Sequence, residues 1–142
     1  MNVNYRITID GVDKTGKDLL LQYVVRLSNH RFVIQARGLL SQLAYSKIYE
    51  RDYSYDLTQY KNDVIFYLKG NLEDLTIRHK ITNEPKIDIE NDIKIFDDTA
   101  KYLRDNGIIV IELDTSEHTP YQNAKKIIET IDLLEKELEN GK

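Results

Sequence analysis

Residues 11–18, Gly-Val-Asp-Lys-Thr-Gly-Lys-Asp, hold two glycines and a lysine at the spacing G-x-x-x-x-G-K, with Gly11, Gly16 and Lys17 at the defining positions. A loop of this pattern wraps nucleotide phosphates in backbone N–H groups and adds the lysine charge. It normally ends on a Ser or Thr whose hydroxyl helps hold Mg²⁺. Asp18 occupies that last position here. A carboxylate can ligate Mg²⁺ directly, so Asp18 becomes the candidate metal ligand; without a metal it would repel the phosphates. The nucleotide-binding candidates are Gly11, Asp13, Thr15, Gly16, Lys17, Asp18 and Leu19. The competing reading is a glycine-rich strand-to-helix turn in which Asp18 stabilises the helix dipole.

Such a loop works only between a strand and a helix, and the flanking pattern supplies both. Tyr5–Asp10 reads as a strand and Lys17–Ser28 as a helix with Leu19, Leu20, Tyr23, Val24 and Leu27 on its inner stripe. Arg31–Gln35 is a second strand, followed by a helix over Leu39–Glu50 with Leu40, Leu43, Ala44 and Ile48 inward. Arg51–Asn62 is polar and tyrosine-rich, a loop or short helix. Val64–Leu68 is continuously apolar, as in a strand buried on both faces of a parallel sheet. Asn71 caps a short helix reaching about His79, with Glu73 and Asp74 in its first turn. Lys80–Ile89, which contains Pro85, reads as a mobile segment. Asn91–Asp105 is helical along Ile93, Phe96, Ala100 and Leu103, and Gly107 ends it. Ile108–Leu113 is the last strand. Tyr121–Glu139 is the last helix, with Ala124, Ile127, Ile128, Ile131 and Leu134 aligned. Strands separated by helices require right-handed crossovers and a parallel sheet of about four strands covered on both faces. The expected fold class is therefore α/β, three-layered, in a single domain over 1–142.

Composition removes several classes of function. There is no cysteine, which excludes disulfides and thiolate metal sites. No apolar run approaches the ~18–20 residues that cross a bilayer. The N-terminus lacks the apolar core of a signal peptide, so no membrane partner and a cytoplasmic location are expected. A net charge of −4 argues against binding along a nucleic-acid backbone. Ten tyrosines, five of them between Tyr45 and Tyr60, could stack bases; the plainer reading is half-buried rings covering a small core. His30, His79 and His118 lack metal-site spacing, and His79 reads as a lid or surface residue. Asp97-Asp98 reads as a solvated face. Asp114-Thr115-Ser116 follows the last strand, where α/β sheets bind ligands, and reads equally as an N-cap and turn.

Gly11-Val12-Asp13-Lys14-Thr15-Gly16-Lys17 resembles the phosphate loop of the thymidylate kinase family, roughly G-x-D-R/K-x-G-K-S/T. Arg37-Gly38-Leu39-Leu40-Ser41-Gln42-Leu43-Ala44-Tyr45 is similar to that family's D-R-Y/H-x-x-S-x-x-A-Y-Q signature, and Tyr67 through Arg78 to its strand and helix leading into a lid. The resemblance implies a P-loop NTPase fold with strand order 2-1-3-4. It implies a nucleoside monophosphate kinase that transfers the ATP γ-phosphate to a (deoxy)nucleoside monophosphate with Mg²⁺. Under it, Gly11 to Lys17 cradle ATP, Lys17 neutralises the transferred group and Lys14 stabilises the transition state. Asp13 faces the acceptor sugar, while Arg37 holds the acceptor phosphate beside Ser41 and Tyr45. Arg78, with Lys80 and Lys86, closes a lid-like segment over 79–91. It further implies nucleotide partners, a homodimer formed through helices and, for a reduced phage-type kinase, the host cytoplasm.

The departures carry information. Ala36 stands where the signature has its aspartate, Gly38 and Ser46 replace an aromatic and a glutamine, and only Asn29 and His30 separate the first helix from the second strand. The family has a longer segment there that builds much of the acceptor-base pocket, so base specificity does not carry over, and the tyrosines at 45–60 are the candidate replacement. Two alternatives stay open: a catalytically weak relative binding a nucleotide or a partner, and a kinase for a nucleic-acid end or modified base.

Overall fold

The computed structural model describes residues 5–12, 14–29, 33–82 and 88–140, with side chains to 137. Asp13, His30, Arg31, Phe32, Pro85 and Lys86 lie outside the described residues, as does the 83–87 part of the Lys80–Ile89 segment. Four strands alternate with helices along the chain. They are β1 Arg6–Asp10, β2 Ile34–Ala36, β3 Asp63–Lys69 and β4 Ile109–Asp114. The helices are α1 Lys17–Leu27, α2 Leu39–Ile48, α3 Leu72–Ile81, α4 Ile89–Asp105 and α5 Pro120–Asn140. All pairings are parallel, in the order β2-β1-β3-β4. This is the expected three-layer α/β arrangement and strand order.

Alternation along β3 explains why two layers of helix are needed. Val64, Phe66 and Leu68 pack on one face with Ile7, Ile9, Leu20, Val24 and Ile127 of β1, α1 and α5. Ile65 and Tyr67 pack on the other with Leu40, Leu43 and Phe96 of α2 and α4. A strand apolar on both faces can be buried only between two such layers. No helix among the described residues is long and apolar enough to cross a membrane.

Helix ends follow local capping chemistry. The Asn71 side chain accepts from Asp74 N at 2.7 Å and starts α3. Gly107 sits at φ +83 just past α4, and Ile108 N reaches back to Leu103 O at 3.0 Å, a glycine-dependent helix stop. Several expectations need correction. The α4 helix begins at Ile89 rather than Asn91, because the Asp88 side chain accepts from Asn91 N at 3.0 Å and Ile89 joins the core. Lys80 and Ile81 continue α3. Leu19 and Leu27 are exposed, since the seam of α1 is filled by Leu20 and Val24 with Leu21 and Tyr23 packed at its side. His79 is buried, not at the surface. Asp97 is no idle solvated acid: it accepts from the buried Tyr67 hydroxyl at 2.8 Å and pairs with Lys69 at 3.0 Å. Burial and this bond push the Tyr67 hydroxyl well above the usual tyrosine range.

Arg6 and Asp63, neighbours across β1 and β3, form a two-point pair, Nε–Oδ1 and Nη2–Oδ2, both 2.9 Å. Burial holds the Asp63 carboxyl above its ordinary value, and Arg6 opposes that rise. With the folded value raised, this carboxyl favours the fold most below the ordinary carboxylate range, and the contribution is lost as pH rises through the raised value. Arg6 limits that loss by stabilising the charged form. Arg6→Ala is therefore expected to cost about 1–3 kcal/mol near pH 7 and clearly less near pH 4, where Asp63 can take up a proton. Urea unfolding at the two pH values measures this. An equal loss at both would mean that Arg6 acts through its 5.0 Å contact with the Tyr60 ring instead.

Candidate functional site

The loop between β1 and α1 is shaped by close backbone approach. A Cβ on Gly11 would lie 2.6 Å from Leu68 O of β3, so only glycine lets the strand end pass there. Gly16 sits at φ +87, the left-handed region, and brings no side chain to cap α1. The first-turn N–H groups therefore open toward the loop without a side-chain acceptor, the arrangement that favours an anion. Lys14 also adopts a left-handed φ of +69. The buried Lys17 curls back, its Nζ donating to Gly11 O at 2.9 Å and Val12 O at 3.0 Å, while Thr15 Oγ1 donates to Val12 O at 2.9 Å. Arg78 of α3 donates to Lys14 O at 2.8 Å and reaches Thr115 Oγ1 at 3.4 Å, tying the loop to the turn after β4.

These residues surround a cavity of about 240 Å³, lined by Thr15, Gly16, Arg78, Thr115, His118 and Asn123 among others. Of the sequence candidates, Lys14, Thr15, Gly16 and Arg78 meet here. Asp18 and Leu19 are exposed on the first turn of α1, and neither side chain lines the cavity. Asp13 falls outside the described residues. His118 and Asn123 are members that sequence reasoning did not place. The only signal for them was the position of Asp114-Thr115-Ser116 at the carboxyl edge of the sheet. The Asp114 side chain accepts from Ser116 N at 2.7 Å and Glu117 N at 3.0 Å, and this turn presents Thr115 and His118 to the loop. Among the described residues no group of three His, Asp or Glu side chains could hold a metal.

The second group assembles on the other side of β1. Asp10, wholly buried, accepts through Oδ1 from Gly38 N at 2.7 Å, Ser41 N at 2.9 Å and Ser41 Oγ at 2.5 Å, and through Oδ2 from Thr8 Oγ1 at 2.8 Å. It thus caps α2 from a different strand. Arg37 precedes that cap at φ +68. Ala36 ends β2 opposite Ile9, with no carboxylate at that place. Arg37, Ser41 and Tyr45 line one cavity of about 320 Å³, together with Gln42, Arg51 and Tyr53. Glu50 at φ +52 turns the chain, Arg51 N bonds Ser46 O at 2.7 Å, and Tyr53 donates to the Gln42 side-chain oxygen, so the tyrosine-rich segment folds back along α2. Asp10 was not singled out by sequence; its signal was an acid ending an apolar strand immediately before the loop.

The fold is similar to that of the YorR protein of Bacillus subtilis, whose crystal structure is a complex with phosphorylated GDP. The TM-score is 0.68 at 16% identity, over 90% of this chain and 96% of that one. The chain has the P-loop fold. At this identity the likeness extends to the fold alone. No protein-family model matches the chain, and no curated protein sequence matches it either.

Two substitutions probe the site without ligand. Asp10→Ala removes the acceptor of four buried donor groups and is expected to cost about 3 kcal/mol in denaturant unfolding. Arg37→Gly relieves a left-handed conformation that costs a non-glycine residue on the order of 1 kcal/mol, so stability should hold or rise. A clear loss of stability in Arg37→Gly would mean that the arginine is a structural support rather than a residue held for binding.

Proposed function

We propose that this protein is a nucleoside monophosphate kinase, transferring the γ-phosphate of ATP to a (deoxy)nucleoside monophosphate in a single domain. The observation that carries the reading is the pair of cavities on either side of the β1 terminus. One is built on the glycine-lysine loop and the start of α1. The other is built around Arg37, and Asp10 ties the two together. The likeness to a protein crystallised with phosphorylated GDP supports nucleotide ligands.

In this reading the first-turn N–H groups of α1 and Lys17 hold the ATP phosphates, with Lys17 exchanging its two loop carbonyls for phosphate oxygens. Lys14 and Arg78 add charge around the transferred group. Arg37 offers a planar fork of donors to the acceptor phosphate. An acceptor phosphate oxygen forms the new bond to the γ-phosphorus as the bond to the β,γ-bridging oxygen breaks, leaving two nucleoside diphosphates. Positioning and positive charge supply most of the rate in such transfers. Asp18, exposed on the first turn of α1, would be the carboxylate that holds Mg²⁺, which would neutralise phosphate charge. Asp13 facing the acceptor sugar, the lid-like segment over 79–91, a thymidylate-kinase-like ancestry, a helix-mediated homodimer and a cytoplasmic setting belong to the same proposal.

Incubation with ATP, Mg²⁺ and each common nucleoside monophosphate is expected to yield the diphosphates, and Lys17→Ala should lower turnover by at least about a hundredfold with the fold intact. ATP binding without turnover on any acceptor would leave the catalytically weak relative as the better reading. Asp18 carries a sharper test: Asp18→Thr with the same Mg²⁺ dependence as the wild type would remove it from the metal site.

A further inference from the structure

The cavity around Arg37 carries more information than an acceptor phosphate requires, and most of its hydrogen-bonding groups are already committed. Ser41 Oγ donates to Asp10 at 2.5 Å and Ser46 Oγ to Leu43 O at 2.7 Å. The Gln42 side-chain oxygen accepts from the Tyr53 hydroxyl. What the cavity lining still offers is the Gln42 amide N–H groups, the N–H edge of the Arg51 guanidinium, whose face lies 5.2 Å from the Tyr49 ring centroid, and the Asp52 carboxylate. Asp52 makes no hydrogen bond or ion pair among the described residues. The turn at Glu50 and the Arg51 N–H bond to Ser46 O bring these two neighbouring residues of opposite charge to the cavity that Tyr45 also lines.

We infer that this wall reads a guanine base, so that the acceptor is GMP or dGMP; this rests on the kinase reading for the phosphate site alone. Guanine alone among the common bases sets a carbonyl acceptor beside two adjacent N–H donors, N1–H and the 2-amino group. A carboxylate accepts both donors as a two-point pair, and a guanidinium is the favoured donor to O6 and N7. Thymine would turn carbonyl oxygens on both sides of its single N–H toward Asp52. The favoured two-point contact of glutamine with adenine needs the amide oxygen, which Tyr53 occupies at Gln42. The resemblance of the phosphate loop to thymidylate kinases therefore does not extend to the base.

Equilibrium binding of GMP, IMP, dTMP and AMP to the full chain, measured by calorimetry, tests the assignment without requiring turnover. GMP is expected to bind at least about tenfold more tightly than dTMP or AMP, and more tightly than IMP, which lacks the 2-amino group. Asp52→Asn should erase the GMP-over-IMP preference while ATP affinity and thermal stability stay unchanged, since Asp52 is exposed and bonds nothing in the fold. Preference for dTMP, absence of GMP binding, or an undiminished GMP-over-IMP ratio in Asp52→Asn would overturn the assignment. If GMP binds with the expected pattern but gains no phosphate from ATP, the kinase reading falls and the base assignment stands.

Discussion

The Asp10 carboxylate ends a central strand at a point where it is wholly buried and can be tolerated only if its oxygens are hydrogen-bonded. Its partners are Thr8 on its own strand and the first-turn groups of α2, so the charge is balanced by the positive end of a helix that begins 28 residues later. The next residue is Gly11, the start of the glycine-lysine loop. One carboxylate therefore sets the position of Arg37 and Ser41 relative to Gly11–Lys17. Displacing it would move both cavities at once.

Tight approach at two glycines completes that junction. Gly11 passes the backbone of Leu68, and a Cβ on Gly38 would meet the Thr8 side chain at 2.6 Å. Around these fixed points Lys14 and Arg37 are held in left-handed conformations. Backbone strain persists only where the surroundings over-determine it, and here it falls on two of the cationic residues at the mouths of the cavities. Lys17 and Arg78 are meanwhile satisfied by loop carbonyls and Thr115. A buried ammonium must have partners, and carbonyl oxygens are ones that a more strongly charged phosphate can replace.

The tyrosine-rich stretch combines both readings that its composition allows. Tyr45 packs edge-on against Phe96 with ring centroids 5.3 Å apart and stacks on Tyr49 at 5.9 Å, so it extends the core while its edge borders the cavity. Tyr53 stacks on Tyr55, whose hydroxyl meets that of Tyr102 at 3.0 Å. These rings cover α2 from outside, which a run of flexible polar residues could not do at comparable entropic cost.

Local chemistry was enough to identify the elements and the glycine-lysine loop between β1 and α1. The apolar run Val64–Leu68, the caps at Asn71 and Gly107, and the Gly11–Gly16–Lys17 spacing each act within a few residues, so they can be read along the chain. The strand order followed from the resemblance, while the handedness of crossovers gave only the parallel, two-sided sheet. The misread positions share a different cause. Whether Leu19 is exposed, His79 buried or Asp97 bonded to Tyr67 depends on which helix lies opposite, and no local pattern contains that. The same holds for the site: Asp10 reaching α2, Arg78 bridging Lys14 and Thr115, and His118 facing the loop are long-range contacts. The sequence determined which residues are candidates for holding phosphate, and only the packing of α2, α3 and the β4–α5 turn around the end of β1 decided which of them share a cavity.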